Sequence, residues 1–176
     1  MKTEQKISTK TLVVMALMIA LSFVGSYLRI FGTIAFDSLP GFLAALLLGP
    51  VHGAAIGFLG HIFTALNLAF PLSVPLHFVI ATTMAITMYG FGLAYKILSG
   101  RFSETVAFII SGAFGIVLNA PFSLACSIAA LWIMAGREVA MGLIIMLPAL
   151  LLASVANIAL AIVIFKYLRK VWDKVS

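Results

Sequence analysis

Residues 39–95 read LPGFLAALLLGPVHGAAIGFLGHIFTALNLAFPLSVPLHFVIATTMAITMYGFGLAY, without one Asp, Glu, Lys or Arg. A charge at the centre of a bilayer costs about 2.5–3.5 kcal/mol even on insertion-based scales, so a charge-free run of this length is a membrane signature. The run is too long for two simple spans, and its own punctuation divides it. Gly49-Pro50 and the stretch from Asn67 to Pro75 predict a short helix near 40–48, a second near 51–66 and a full span near 75–95. Pro50 and Pro75 mark helix starts, because a proline's missing N–H has no partner in the first turn anyway.

The same pattern continues on both sides. Residues 11–28, 105–136 and 139–165 are also free of charge, and a span needs roughly 20 apolar residues. They predict a first helix over 11–28, stopped by Arg29 and a turn at Gly32 and Thr33, and further spans near 104–132 and 141–166. Pro121 predicts a kink close to Asn119. The expected whole is an all-α membrane protein, one integral domain over 1–176 with six transmembrane helices. Helix 2, at about 1.5 Å per residue, is too short to cross lipid alone. It must lean on its neighbours, with part of the 29–39 linker packed against protein.

Composition excludes the other classes. The chain is 64% hydrophobic and 9% charged, where soluble domains have roughly 45–50% and about 25%; mean hydropathy is +1.23. The formal charge of +6 could suggest nucleic acid, but the basic residues flank the apolar runs. Lys2, Lys6 and Lys10 precede the first, Lys96 and Arg101 separate middle ones, and Lys166, Arg169, Lys170 and Lys174 follow the last. Six spans put both termini on one side. With that side cytosolic, only Arg29 and Arg137 face out, a strong positive-inside bias. Both termini are therefore expected in the cytosol, 1–10 as a cytosolic segment and 167–176 as a basic tail. The first run is longer than a 7–15-residue signal core and lacks a convincing small-residue cleavage site, so it stays as helix 1. Cys126 lies alone inside a charge-free run and cannot form an intramolecular disulfide.

No G-x-x-x-x-G-K-[ST] loop occurs, so the chain has no ATPase of its own. No H-E-x-x-H, paired intramembrane carboxylate or readable Ser/His/Asp set supports an enzyme or a pump. His52, His61 and His77 show no i, i+4 pairing, and no metal or other cofactor is expected. Small residues recur at i, i+4: Ala16 and Ala20; Gly53, Gly57, His61 and Ala65; Ala149, Ala153, Asn157 and Ala161. Such stripes let helix backbones approach where hydrophobicity gives no drive to associate. The later two predict packing within the chain; the first, in the cytosolic half of helix 1, predicts a docking face for a partner.

Polar residues sort by depth. In the expected topology Asp37, His61, Asn67, His77, Asn119, Ser123 and Trp132 converge on the outer half, with Ser38 and Ser127 near them. Buried polar groups need hydrogen-bond partners, protein or ligand. They predict an outward-facing pocket for a small, mostly neutral, partly aromatic molecule. Each has a plainer reading too: Asp37 or Ser38 as a helix cap, Trp132 as an interfacial anchor, a histidine as a helix-to-helix hydrogen bond.

These features together resemble the substrate-binding S components of energy-coupling factor (ECF) transporters. The resemblance spans the chain and rests on six helices in under 200 residues, the Ala16-x-x-x-Ala20 stripe, Phe36-Asp37-Ser38-Leu39-Pro40-Gly41, Leu48-Gly49-Pro50 and Gly57-x-x-Gly60-His61. It implies a vitamin or vitamin precursor bound beneath the loop after helix 1, in a bacterial plasma membrane. It also implies partnership with a transmembrane coupling protein (T component) and two cytosolic ATPases, reached through Ala16 and Ala20, with ATP used by the partners only. The S component would topple in the membrane to deliver its ligand. The stretch from Phe70 to His77, together with Asp37-Ser38-Leu39-Pro40-Gly41, looks most like S components assigned to alpha-ribazole, a cobalamin precursor, with pantothenate or a pyrimidine precursor as alternatives. Nickel and cobalt S components are less similar, since they begin Met-His and here Met1 is followed by Lys2. A rival of another class is a non-binding membrane scaffold.

Overall fold

The computed structural model describes residues 8–27, 29–30 and 34–175. Lys2, Lys6, Leu28 and the turn expected at Gly32 and Thr33 lie outside the described residues. The fold is all-α, as expected. In chain order the helices are α1 Thr9–Gly25, α2 Leu39–Leu47, α3 Pro50–Asn67, α4 Val74–Ser99, α5 Glu104–Val117, α6 Ser123–Ala135, α7 Arg137–Met141 and α8 Leu147–Val175. A minimal antiparallel pairing links α1 to α2: β1 Arg29–Ile30 runs against β2 Ile34–Ala35.

The nine-residue α2 is the centre of the molecule. Pro40 through Leu46 are all buried, and α2 packs on α1, α3, α4 and α8. A helix that is apolar on every side has no face to give to water, so it ends up enclosed. Phe42 meets Phe91 edge-on, with ring centroids 5.2 Å apart. Close approach is made by glycine: a Cβ on Gly53 would stand 2.5 Å from that of Ala45. The turn into α3 is made by Gly49 at φ 98, a left-handed conformation that glycine adopts freely, followed by Pro50 in the first turn. The two later small-residue stripes pack within the chain, as Gly53, Gly57 and Ala65 are buried on α3 and Ala153, Asn157 and Ala161 on α8.

Pro121 breaks the fifth helix near Asn119, as its missing N–H requires. Between α5 and α6 the chain takes a π-helical turn over Leu118–Phe122. The last span differs from the expected 141–166 at both ends. Gly136 at φ 88 closes α6; the short α7 and a 3-10 turn over Gly142–Met146 follow; α8 starts only at Leu147, with Pro148 in its first turn. A proline inside a helix would lack an N–H and crowd the preceding turn, so Pro148 sets the start. The segment 167–176, expected as a tail, continues α8 to Val175. Its cations suit a helix C-terminus, and contacts hold it: Arg169 forms a bidentate ion pair with Glu104 at the start of α5, and Lys10 Nζ lies 4.3 Å from the Trp172 ring centroid.

Val74–Ser99, Glu104–Ala135 and Arg137–Trp172 are long and apolar enough to cross a bilayer; α1 is apolar but shorter. Large apolar side chains such as Ile109, Ile133, Ile145 and Leu17 are exposed, a surface suited to lipid rather than water.

Candidate functional site

Four of the expected site residues, Asp37, His61, Asn119 and Ser123, meet at one cavity, with Ser38 beside them. Asp37 and Ser38, His61 of α3, Asn119 of the π-helical turn and Ser123 at the start of α6 line a space of about 210 Å³, with Ile80, Met84, Leu150 and Ala153 as apolar walls. Asp37 is placed by the end of α1. The Phe36 amide donates to the Gly25 carbonyl at 3.3 Å, and Gly25 lies so close that a Cβ there would come within 2.6 Å of the Phe36 oxygen. Ser38 stands at the N-cap of α2, yet its side chain makes no capping bond. Asn119 enters through the π-helical turn, the kind of local register change that recurs at functional sites.

A second, mostly apolar cavity of about 340 Å³ adjoins the first. Ile80, Ser123 and Leu150 belong to both, and the second adds Pro71, Leu72, Leu76, His77, Leu124, Ser127, Leu143 and Met146. Between the two, His61 and His77 meet edge to edge with ring planes 27° apart and centroids 5.3 Å apart, and share a hydrogen bond, Nε2 to Nδ1, at 3.1 Å. His77 Nε2 donates to the Pro71 carbonyl at 2.8 Å. That carbonyl is presented by a loop in which Ala69, Phe70 and Leu72 all have positive φ, a conformation that costs non-glycine residues energy and needs surrounding contacts to persist. On its other side His61 Nδ1 lies 3.9 Å from Asp37 Oδ2, too long for a hydrogen bond. Ser123 Oγ is 2.7 Å from Thr83 Oγ1, and Asn119 Nδ2 donates to Ser154 Oγ at 2.8 Å.

Asn67 and Trp132 join neither cavity. Asn67 accepts a hydrogen bond from the Tyr27 hydroxyl at 2.8 Å, tying α3 to the end of α1. Trp132 is half-exposed, with the Arg137 guanidinium 5.7 Å from its ring centroid. His52 bonds its own helix turn, Nδ1 to the Leu48 carbonyl at 2.8 Å. Among the described residues no group of three or more His, Cys, Asp or Glu is placed to hold a metal ion. Ala16 and Ala20 are exposed on α1 and border a shallow apolar groove with Ile19, Phe23 and Phe63.

Over residues 10–170 the sequence matches the family described as ECF transporter, substrate-specific component. The chain belongs to that family. No curated protein and no solved structure shows significant similarity to it. It is thus a substrate-binding membrane subunit of an ECF transporter, and members of this family are transport subunits rather than enzymes. In this S component, sequence reasoning missed Thr83, Ser154 and the Pro71 carbonyl, the groups that hold Ser123, Asn119 and His77. Thr83 and Ser154 lie inside apolar helices with no periodicity to show which face they take. A backbone carbonyl leaves no mark in the sequence at all.

Proposed function

We propose that this S component captures a small neutral vitamin precursor built from an apolar ring and a hydroxyl-bearing part, with alpha-ribazole as the fitting candidate. The observation that carries the proposal is the pair of adjoining cavities. The one lined by Asp37, Ser38, His61, Asn119 and Ser123 suits a sugar, and the one lined by Leu76, Leu124, Leu143 and Met146 suits a flat heteroaromatic base. A ligand lying across their common wall of Ile80, Ser123 and Leu150 uses both. Apolar pockets with a few placed polar groups are the usual form of a small-molecule site.

In this reading the subunit lies in a bacterial plasma membrane with both termini cytosolic. It carries no cofactor and docks a T component through the α1 face around Ala16 and Ala20. Two ATPases bound to that partner spend the ATP. Orientation is supported by the grouping of cations at one end of the bundle, where the start of α1 meets the end of α8 through Lys10 and Trp172, and the end of α8 meets the start of α5 through Arg169 and Glu104.

Mass spectrometry of small molecules released from the purified subunit tests the proposal. A riboside of a heteroaromatic base is the expected finding. Repeated recovery of empty protein that is not stabilised by alpha-ribazole, pantothenate or pyrimidines would favour a membrane scaffold instead.

A further inference from the structure

We infer that the polar cavity presents a facing pair of hydrogen-bond acceptors, His61 Nδ1 and the Asp37 carboxylate, so that the ligand's polar part must bring paired donors to that wall, a vicinal diol being the neutral group that fits. This rests on the reading of that cavity as the substrate site.

The polarity follows from counting hydrogens. A carbonyl only accepts, so His77 Nε2, at 2.8 Å from the Pro71 oxygen, carries that ring's proton. In the neutral ring His77 Nδ1 is then an acceptor, and His61 Nε2, 3.1 Å away, must donate to it. That leaves His61 Nδ1 as a bare lone pair. It is buried, it receives no hydrogen bond from any described residue, and it faces the Asp37 carboxylate 3.9 Å away. Two acceptors thus lie side by side, 3.9 Å apart, on the wall of the cavity and call for two donors approaching from within it. Ser123 has the same polarity. The Thr83 hydroxyl donates to the Ile80 carbonyl at 2.8 Å, so at 2.7 Å it accepts from Ser123, which then has only lone pairs left to offer.

Asn119, also in the lining, spends one N–H on Ser154; its second N–H and the Ser38 hydroxyl, which makes no capping bond, are the donors of this lining and can serve the oxygens of the same diol. A diol satisfies this set by donating one O–H to His61 and one to Asp37. A carboxylate or phosphate placed there would add a third acceptor beside a carboxylate, with no described cation within ion-pair distance of Asp37. His77 is a positioning residue in this scheme: it fixes which nitrogen of His61 carries the proton.

Nitrogen-15 NMR of the full chain, labelled at histidine and held in lipid nanodiscs at neutral pH, reads the proton positions directly. Without ligand, His61 and His77 are expected as neutral rings protonated at Nε2, and His77→Phe is expected to release His61 into a mixture of both tautomers. In titrations, alpha-ribazole is expected to bind about tenfold or more tightly than its 2′,3′-dideoxy analogue, with a smaller gap in His77→Phe. A proton on His61 Nδ1 in the ligand-free protein, as in an imidazolium paired with Asp37, overturns the inference. Equal binding of the two ribosides overturns it as well. If neither riboside binds while the Nε2 protons are found, alpha-ribazole is excluded as the ligand and the acceptor pair of His61 and Asp37 stands.

Discussion

Asp37 and His61 come from segments that sequence spacing cannot bring together, one before the central short helix and one in the middle of α3, yet they face each other at 3.9 Å. The scarcity of polar residues in an apolar chain singled both out. What it could not supply was direction, because a helix that is apolar all round gives no moment from which to read a face. Asn67 shows the limit. The expected topology put it with the other site candidates, but the hydroxyl of Tyr27, just past the end of α1, takes it instead. These placements set opposite expectations for two substitutions. Ser123→Ala removes an acceptor from both cavities and should weaken ligand binding roughly three- to tenfold. Trp132→Ala, outside both, should leave affinity within error. Isothermal titration of the two variants against the co-purified ligand checks the pair, and a loss at Trp132 equal to that at Ser123 would place the site elsewhere.

At the scale of elements, proline and glycine carried most of the boundaries. Gly49-Pro50, Pro75 and Pro121 each mark a start or a break where the structure has one. The last span was misjudged because hydropathy runs unbroken through 139–165, while the backbone obeys Gly136 and Pro148. The charged segment after Lys166 looked like a tail by composition, but partners on other helices, Glu104 and Lys10, keep it helical. Packing around α2 gives a stability prediction. Gly53→Ala forces a methyl to within 2.5 Å of the Ala45 Cβ and should destabilise the fold by about 1–3 kcal/mol, the usual range for overpacking. Gly142→Ala, with open space around its Cβ position and φ −59, should change stability by no more than about 0.5 kcal/mol. Thermal unfolding in one detergent compares them, and equal midpoints would contradict the tight α2–α3 contact.

For the molecule as a whole, separation of roles follows from where the polar groups lie. The cavities are lined by α3, α4, α6, α8, the turns that precede α6 and α8, the loop before α4 and the segment before α2, whereas Ala16 and Ala20 are exposed on α1. Ala16→Trp and Ala20→Trp should therefore abolish uptake and capture of the T component while ligand affinity stays unchanged. Uptake assays, pull-down and titration on the same variants test this, and uptake that survives both substitutions would remove α1 as the docking face. The class of the molecule was open to view in its charge pattern, since four long charge-free runs admit little but a helical membrane bundle. The substrate was not, because a cavity assembled from segments far apart in the chain has no linear signature.

Proposed ligand capture depends most directly on Asp37, whose carboxylate lines the polar cavity. Equilibrium titration of wild-type and Asp37→Asn subunits in nanodiscs with alpha-ribazole should give saturable binding that the substitution weakens roughly tenfold to a hundredfold, the cost of losing a charge-assisted hydrogen bond. Saturable binding that Asp37→Asn leaves untouched, or no saturable binding to the wild-type subunit, would contradict it.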